Sequence, residues 1–347
     1  MKSTRPMVLV TAGLALLALQ PLAARAELLT ISDMFVFGDS TSDGGNSGLL
    51  TQAAAGVVFP PSPYVGGRYT NGHTAVERLW NLYNTDGGLL PSLAGGTNFA
   101  IGGSTTGLES FNEITNSVPD ALHPVFAERS AAWQLEQFNA YAASNSFDPA
   151  TSLFVVWLFP NDVFYANSTG MLPGVVPGSP GGGDVVANGI ANLRTIIEIL
   201  AAAGAEHFLV PNMANLADTP ALAGDPLAEA VTIAFNTNLA TELAMLDAML
   251  VAEITLFDND AAFQRLLADP AAFGITNTTE PCVNIAANTV CANPEEYLFW
   301  DGVHPTARAY EILAGEMRRA LIAEPGTLML LGLGLLVIGL VHRRRRG

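Results

Sequence analysis

Basic residues are scarce in this chain, which holds 15 lysines and arginines against 32 aspartates and glutamates in 347 residues. Seven of the basic residues stand before residue 27 or after residue 324, whereas every acidic residue lies from Glu27 to Glu324. The central segment therefore keeps eight basic residues against 32 acidic ones, a formal charge of −24. Such a charge repels nucleic acids and anionic membrane surfaces, so we expect no DNA- or RNA-binding role.

Signatures of several other protein classes are also missing. Charged residues make up only 14% of the chain and hydrophobic residues 50%, which excludes a disordered protein. The sequence has no Gly-x-Ser-x-Gly nucleophile elbow and no Gly-x-x-x-x-Gly-Lys phosphate loop. The histidines, among them His73, His123 and His207, have no metal-ligand spacing, so we expect no metal and no cofactor.

The N-terminus has the features of a secretory signal peptide. Lys2 and Arg5 precede an apolar stretch over residues 7–19, and Ala24-Arg25-Ala26 places small residues at the cleavage positions. We therefore predict a signal peptide at residues 1–26 and export of the domain that follows, at 27–322. A buried N-terminal helix is the alternative.

The C-terminus combines Glu324-Pro325, fourteen uncharged residues over 328–341, and four arginines at 343–346. The apolar run is short for a bilayer span, which needs about 20 residues, and the arginines favour the cytoplasmic side. This arrangement resembles the PEP-CTERM sorting tail of Gram-negative bacteria, with Ala323 in place of the first proline. The resemblance implies a sorting segment at 323–347 and an exosortase-type processing protease as a partner. A plain membrane anchor is the alternative.

The two cysteines suit an exported protein, because disulfides persist outside the cytoplasm. Cys282 and Cys291 are nine residues apart in a stretch rich in Asn, Thr and Pro, with no other sulfur ligand in the chain. We predict that they form a disulfide, which would stabilise the fold by roughly 2–3 kcal/mol.

Short apolar runs alternate with helical patterns through the central segment. The runs predict buried strands at 34–37, 98–101, 153–159, 207–210 and 254–257. The helical patterns cover 73–83, 131–143, 185–203, 227–251 and 305–321. This alternation predicts one α/β domain of three layers, with a mostly parallel sheet between helices and functional residues at the carboxyl ends of the strands. Three stretches, at 44–70, 169–183 and 273–298, are predicted to be surface loops near the site.

Ser40 is a candidate nucleophile. It follows the first predicted strand in the sequence Phe37-Gly38-Asp39-Ser40, next to a glycine that permits a sharp turn. Gly-Asp-Ser is also common in ordinary turns, so this motif alone leaves both interpretations open.

Asp301 and His304 are candidates for the remaining members of a catalytic triad. A serine nucleophile needs a base to take its proton, and that base needs a partner that fixes its tautomer. Asp301-Gly302-Val303-His304 supplies both from one loop, and Pro305 is expected to begin the helix that follows. The alternative is a helix start with a surface histidine.

Two further segments could stabilise the negative oxygen of a tetrahedral intermediate. Gly102-Gly103 follows the second predicted strand, where backbone N–H groups can approach a ligand closely, and Asn161 follows the third. A tight turn and a helix cap are the alternative interpretations.

Together, in this order, the four segments resemble the SGNH or GDSL family of esterases and lipases over residues 33–321. The resemblance implies that Ser40 attacks the ester, that His304 acts first as base and then as acid, and that Asp301 orients His304. It also implies an oxyanion hole made by the backbone N–H groups of Ser40 and Gly103 with the Asn161 amide, and a flavodoxin-like fold.

The third segment departs from the family pattern, because Phe159 stands where the family has glycine and Pro160 follows it. A phenylalanine takes positive φ only at a cost, and proline has no N–H. We therefore expect an altered turn or a negative φ at Phe159, with which Asn161 can still point its amide at the oxyanion.

Three functions follow from these observations. The first is an exported serine hydrolase that cleaves lipid acyl esters or acetylated carbohydrate. The second is a non-catalytic surface or extracellular-matrix binding module that retains the fold, and labelling of Ser40 by a fluorophosphonate separates the two. The third is flavin binding, which depends only on shared sheet topology and predicts a yellow chromophore.

Overall fold

The computed structural model describes residues 30–85, 87–285, 287 and 289–322. The predicted signal peptide at 1–26 and the predicted sorting segment at 323–347 lie outside the described residues.

A parallel four-stranded sheet forms the centre of the domain. Its strands are β1 (Asp33–Gly38), β2 (Ser152–Trp157), β3 (His207–Pro211) and β4 (Glu253–Phe257), hydrogen-bonded in that order. All six residues of β2 are buried, as expected of a strand that is covered on both faces. β2 ends at Trp157, two residues before the predicted end at Phe159.

The predicted strand at 98–101 is wrong as a regular strand. Asn98 forms only isolated bridges, with Val36 and with Pro91, although the Phe99 N–H donates to the Val36 carbonyl at 2.8 Å. The backbone of Asn98 also pairs with Leu90 and Ser92, so its outer hydrogen bonds go to a local loop and no longer ladder forms. The segment still lies beside β1, opposite β2, which gives the flavodoxin-like order that was expected.

The helices agree with the prediction where the apolar pattern was strong. They are α1 (Asn46–Ala55), α2 (Ala75–Tyr83), α3 (His123–Phe126), α4 (Ala131–Ala142), α5 (Pro160–Thr169), α6 (Val185–Ala202), α7 (Pro226–Met249), α8 (Asn259–Ala268) and α9 (Ala307–Leu321). The segment 44–70, predicted to be a loop, contains α1. The residues that α1 buries are Asn46, Ser47, Gly48 and Thr51, so no apolar stripe marks it in the sequence.

Pro305 does not begin the last helix, contrary to the prediction. Thr306 is the N-cap of α9, and its hydroxyl accepts a hydrogen bond from the Ala309 N–H. Pro305 stays outside because its carbonyl accepts a hydrogen bond from the Thr70 hydroxyl at 2.9 Å, and it bridges to Phe299.

Helices cover both faces of the sheet, which confirms the three-layer α/β/α class. Phe35, Phe154 and Phe208 point to one face, where they pack with α4, α6 and α7. Alternate residues of the same strands, such as Met34 and Val155, point to the other face and pack with α2, α8 and α9.

The segment 273–298, predicted to be a loop, contains short strands and the predicted disulfide. Strand β5 (Asn277–Pro281) pairs with β8 (Tyr297–Phe299), and β6 (Val283–Asn284) pairs with β7 (Thr289–Val290). Cys282 and Cys291 are joined by the disulfide, and Cys282 packs against Trp300. This braced segment leads directly into Asp301.

Candidate active site

Ser40, His304 and Asp301 form an unbroken hydrogen-bonded array. The Ser40 Oγ lies 2.7 Å from His304 Nε2, and His304 Nδ1 lies 2.7 Å from Asp301 Oδ2. Ser40 follows the carboxyl end of β1, whereas the other two residues lie on the loop between β8 and α9. The fold thus brings together three residues that the sequence analysis singled out.

The Asp301 carboxylate accepts four hydrogen bonds. Its Oδ1 accepts from the backbone N–H groups of Val303 and His304, and its Oδ2 accepts from His304 Nδ1 and from the Tyr64 hydroxyl. Burial raises the pKa of Asp301, but the His304 charge and the hydrogen bonds outweigh burial and hold the pKa below its usual range. Asp301 is therefore a fixed negative charge beside the imidazole.

His304 lies, partly buried, between that carboxylate and the serine. Burial lowers the pKa of His304, but the Asp301 carboxylate and the charge of Asp39 outweigh burial and raise the pKa above its ordinary value. The Tyr69 ring lies 5.4 Å from the imidazole ring. The environment thus favours the protonated form of the imidazole.

A glutamine that the sequence analysis missed holds the turn before Ser40. Gln134 of α4 accepts a hydrogen bond from the Gly38 N–H at 2.9 Å and donates to the Gly38 carbonyl at 2.8 Å. It also donates to the Ser104 hydroxyl at 2.9 Å. A Cβ at Gly38 would lie 2.8 Å from the Ser42 Cβ, so the turn requires glycine. A single glutamine in a helix carries no sequence signal that separates it from a surface residue.

The polar stretch after Ser40 joins two of the predicted segments. The buried Asp43 carboxylate accepts from the backbone N–H groups of Gly45, Asn46 and Ser47, and from the N–H of Gly102 at 2.9 Å. Burial raises the pKa of Asp43, and these hydrogen bonds oppose that rise. The Asp43 carboxylate therefore links the stretch after Ser40 to the Gly102-Gly103 segment.

Gly103 has φ +80, a conformation that favours glycine. A Cβ there would lie 2.4 Å from the Asn112 side chain, so no larger residue fits. Within the part of the chain that the structure describes, neither the Gly103 N–H nor the Ser40 N–H donates a hydrogen bond. Both residues line the same cavity.

The expectation of a negative φ at Phe159 is wrong, because Phe159 has φ +131. Such a conformation costs about 1–3 kcal/mol in a residue with a side chain. The ring is fully buried and stacks on the Phe235 ring at 3.8 Å, and a Cβ at Gly189 of α6 would lie 2.5 Å from it. Burial of a phenylalanine contributes about 1.5–3 kcal/mol, which offsets the strain.

Asn161 lies at the start of α5. Pro160 occupies the first position of α5, where a missing N–H costs nothing, and Asn161 occupies the second. The Asn161 side-chain amide donates one hydrogen bond to the Ser104 carbonyl at 3.1 Å, which leaves its other N–H available. Asn161 lines the cavity together with Ser40 and Gly103.

Asp162 ties α5 to the segment that follows Gly103. Its carboxylate accepts from the Thr106 N–H at 2.8 Å and from the Thr106 hydroxyl at 2.5 Å. Burial raises the pKa of Asp162 to about 7. This carboxyl group therefore joins the start of α5 to the segment that follows Gly103.

A cavity of about 620 Å³ opens on Ser40 and His304. Most of its wall is apolar, and the apolar lining includes Phe59, Phe111, Phe164 and Leu216. No cluster of His, Cys, Asp and Glu within the described ranges could hold a metal ion.

Comparison with known proteins gives two family matches. Residues 34–317 match the model described as GDSL-like Lipase/Acylhydrolase, and residues 324–346 match the PEP-CTERM protein-sorting motif.

Individual relatives cover most of the chain. A GDSL esterase/lipase of Arabidopsis thaliana is 27% identical over 324 residues, covering 81% of this chain and 85% of the relative. Acetylajmalan esterase 2 of Rauvolfia serpentina is 27% identical over 329 residues, covering 80% of this chain and 86% of the relative. Among solved structures, the acetylxylan esterase Axe2 of Geobacillus stearothermophilus matches with a TM-score of 0.45 at 16% identity, covering 85% of this chain and 97% of that one.

The raised pKa of Asp162 predicts how stability depends on pH. The folded protein holds the proton up to about pH 7, whereas the unfolded chain loses it near pH 3.8, so the free energy of unfolding falls as pH rises between these values. Asp162→Asn keeps the shape and removes the ionisation. Urea unfolding should show that stability falls between pH 5 and pH 8 by about 3 kcal/mol less in the variant than in the wild type. Equal falls in both proteins would contradict the prediction.

Proposed function

Because this chain belongs to the GDSL-like lipase/acylhydrolase family, a family of carboxylic ester hydrolases, we propose that it cleaves esters through Ser40, His304 and Asp301. The observation that carries the proposal is the array of two 2.7 Å contacts that joins Ser40 Oγ to His304 and His304 to Asp301. The array lies at the carboxyl end of the sheet and faces an apolar cavity.

The reaction proceeds by an acyl-enzyme. Ser40 Oγ attacks the ester carbonyl carbon while His304 Nε2 takes its proton, and a tetrahedral intermediate forms. The intermediate expels the alcohol, which receives the proton from His304, and the acyl group remains on Ser40. A water molecule then attacks the acyl carbon, again with His304 as base, and releases the acid. Asp301 holds the imidazole and stabilises its protonated form throughout.

The oxyanion of each intermediate is stabilised by three donors in this proposal. They are the backbone N–H groups of Ser40 and Gly103 and the second amide N–H of Asn161. The turn at Phe159 supports the role of Asn161, since its positive φ provides the conformation for which the family uses glycine. Pre-positioned donors of this kind lower the barrier because they need no rearrangement as charge develops.

The cavity favours an ester with a substantial apolar part. Its walls carry Phe59, Phe111, Phe164 and Leu216, which offer little hydrogen bonding to a sugar chain. A lipid acyl ester therefore fits the site better than acetylated polysaccharide does. A series of p-nitrophenyl esters from acetate to palmitate, beside acetylated xylan, supplies the assay substrates.

We also propose that the enzyme is exported and processed. The sorting motif at 324–346 and the signal-like sequence at 1–26 support passage across the inner membrane of a Gram-negative bacterium. The disulfide between Cys282 and Cys291 suits an oxidising compartment. In this proposal an exosortase-type protease removes the tail, and the enzyme acts at the cell surface or outside it.

Ser40→Ala and His304→Ala should each abolish ester hydrolysis, because they disable the same step. A fluorophosphonate probe should label the wild type at Ser40 and leave the Ser40 variant unlabelled. Ser42→Ala is the matched control, since Ser42 lies two residues away and its hydroxyl has no hydrogen-bond partner among the described residues. It should keep both labelling and turnover. Full turnover in Ser40→Ala would contradict the proposal. If the probe does not label the wild type, the non-catalytic binding module is favoured instead.

Asn161→Ala should lower kcat by about 10²–10³ with little change in KM, because an oxyanion contact strengthens only in the transition state. Steady-state kinetics on the best p-nitrophenyl ester measures both constants. A loss below tenfold, in a protein whose melting temperature is unchanged, would show that Asn161 lies outside the oxyanion hole.

The mature protein should end near residue 324 and lack the four arginines. Mass spectrometry of the C-terminal peptide, from cells with and without their sorting protease, tests this processing. The truncated peptide should appear only when the protease is present. An intact 328–346 segment on the protein in both strains would reject cleavage and leave a plain membrane anchor.

A further inference from the structure

Tyr64 contacts the acidic member of the array although no sequence motif marks it. Its hydroxyl donates to Asp301 Oδ2 at 2.7 Å, the same oxygen that lies 2.7 Å from His304 Nδ1. The two residues are 237 positions apart in the chain. Tyr64 is the only side chain besides His304 that donates to this carboxylate within the described residues; its other two donors are backbone N–H groups.

Tyr64 lies in a loop that lines the cavity. Residues 59–64 of the connection between α1 and α2 line the cavity, and three of them are prolines, which restrict the backbone. The loop is anchored at one end by Phe59, whose N–H donates to the Thr51 hydroxyl at 3.0 Å. The Tyr64 ring meets the Trp300 ring edge to face, with centroids 6.2 Å apart. The hydroxyl is thus aimed at Asp301 by a rigid support.

We propose that Tyr64 is a positioning residue for the array: its hydroxyl fixes the Asp301 carboxylate against His304 and joins the acid to the wall of the substrate cavity. This inference rests on the proposed hydrolase function, because the array that it serves is the proposed catalytic one. Tyr64 itself does not exchange protons with the substrate.

Two physical effects follow from the contact. The first is orientation, because a second donor on Oδ2 restricts rotation of the carboxylate and so restricts the imidazole that it holds. The second is electrostatic, because a donor on Oδ2 draws negative charge away from the His304 side and weakens the pull of Asp301 on the imidazole proton. Tyr64 thus keeps His304 a moderate base that can also return its proton to the leaving alcohol.

The other groups that face His304 stay in place when Tyr64 is changed. They are Asp301 on its own loop, Asp39 beside the nucleophile, Tyr69 on the loop before α2, and Tyr310 of α9, which interacts with both aspartates. A change in the titration of His304 on removal of the Tyr64 hydroxyl therefore reports on that hydroxyl.

The test is the titration of His304 in an inactive background. In Ser40→Ala protein, the imidazole C–H signals are followed by NMR against pH, and His304 is assigned by the signal that a His304→Ala variant lacks. Adding Tyr64→Phe should raise the pKa of His304 by about 0.5–1 unit, because the carboxylate regains charge on the His304 side. Tyr297→Phe is the matched control. Tyr297 packs against the same disulfide cluster as Tyr64, and its hydroxyl makes no hydrogen bond among the described residues. It should leave the titration unchanged.

A second variant keeps the packing and strengthens the hydrogen bond. Tyr64→3-fluorotyrosine makes the hydroxyl a better donor, so the pKa of His304 should move downwards instead. In the active protein, the acidic limb of kcat/KM should move in the same directions as the NMR titration, and Tyr64→Phe should lower kcat more than it changes KM.

The outcomes separate this inference from the proposed function. If Tyr64→Phe and Tyr64→3-fluorotyrosine both leave the His304 titration where it was, the positioning role is overturned even though Ser40→Ala remains inactive. If Ser40→Ala keeps full activity, the hydrolase mechanism falls, whatever the titration shows. Opposite shifts in the two Tyr64 variants, with none in Tyr297→Phe, support the proposal.

Discussion

The buried Asp43 carboxylate holds the site together. The Asp43 carboxylate accepts hydrogen bonds from the backbone N–H groups at the N-terminus of α1 and from the Gly102 N–H. The segment after Ser40 and the segment before Gly103 are therefore held by the same side chain. A carboxylate is costly to bury, and it stays stable here because each oxygen meets backbone donors. Gln134 of α4 likewise fixes the Gly38 backbone, at the end of β1, through two hydrogen bonds. The parallel sheet brings the strand ends together, but these polar contacts fix the distances between them.

Phe159 illustrates how a phenylalanine can adopt a positive φ at a position where the family pattern has glycine. The strain of a positive φ is local to one residue, whereas the energy that offsets it comes from the contact of the ring with Phe235 and from the space left by Gly189. The substitution therefore exchanges the conformational freedom of glycine for packing between α5, α6 and α7. Asn161 follows this turn at the second position of α5 and lines the cavity.

The sequence predicted those features that depend on short stretches of chain. Apolar runs predicted β1 to β4, and the local patterns around Ser40 and from Asp301 to His304 predicted residues that the fold brings together. The segment at 98–101 has the same apolar pattern, but the outer hydrogen-bonding groups of Asn98 pair with Leu90 and Ser92, so no regular strand forms. The local sequence pattern does not indicate this pairing. Tyr64 and Gln134 were missed because their partners are far away in the sequence. The sign of φ at Phe159 was mispredicted because the compensating contact lies 76 residues further along the chain, at Phe235.

Ser40 and His304 are far apart in the sequence, and this distance determines when the complete array can form during synthesis and export of the chain. Ser40 follows the first strand, and His304 lies just before the last described helix, 264 residues later. A chain that crosses a membrane N-terminus first delivers a serine without its base for most of the passage. In the proposed export, no array can form until the loop that carries both Asp301 and His304 has followed, so the assembly of the site would be coupled to the completion of translocation. For the exported ester hydrolase proposed above, this order keeps the enzyme from acting on the membrane through which it travels.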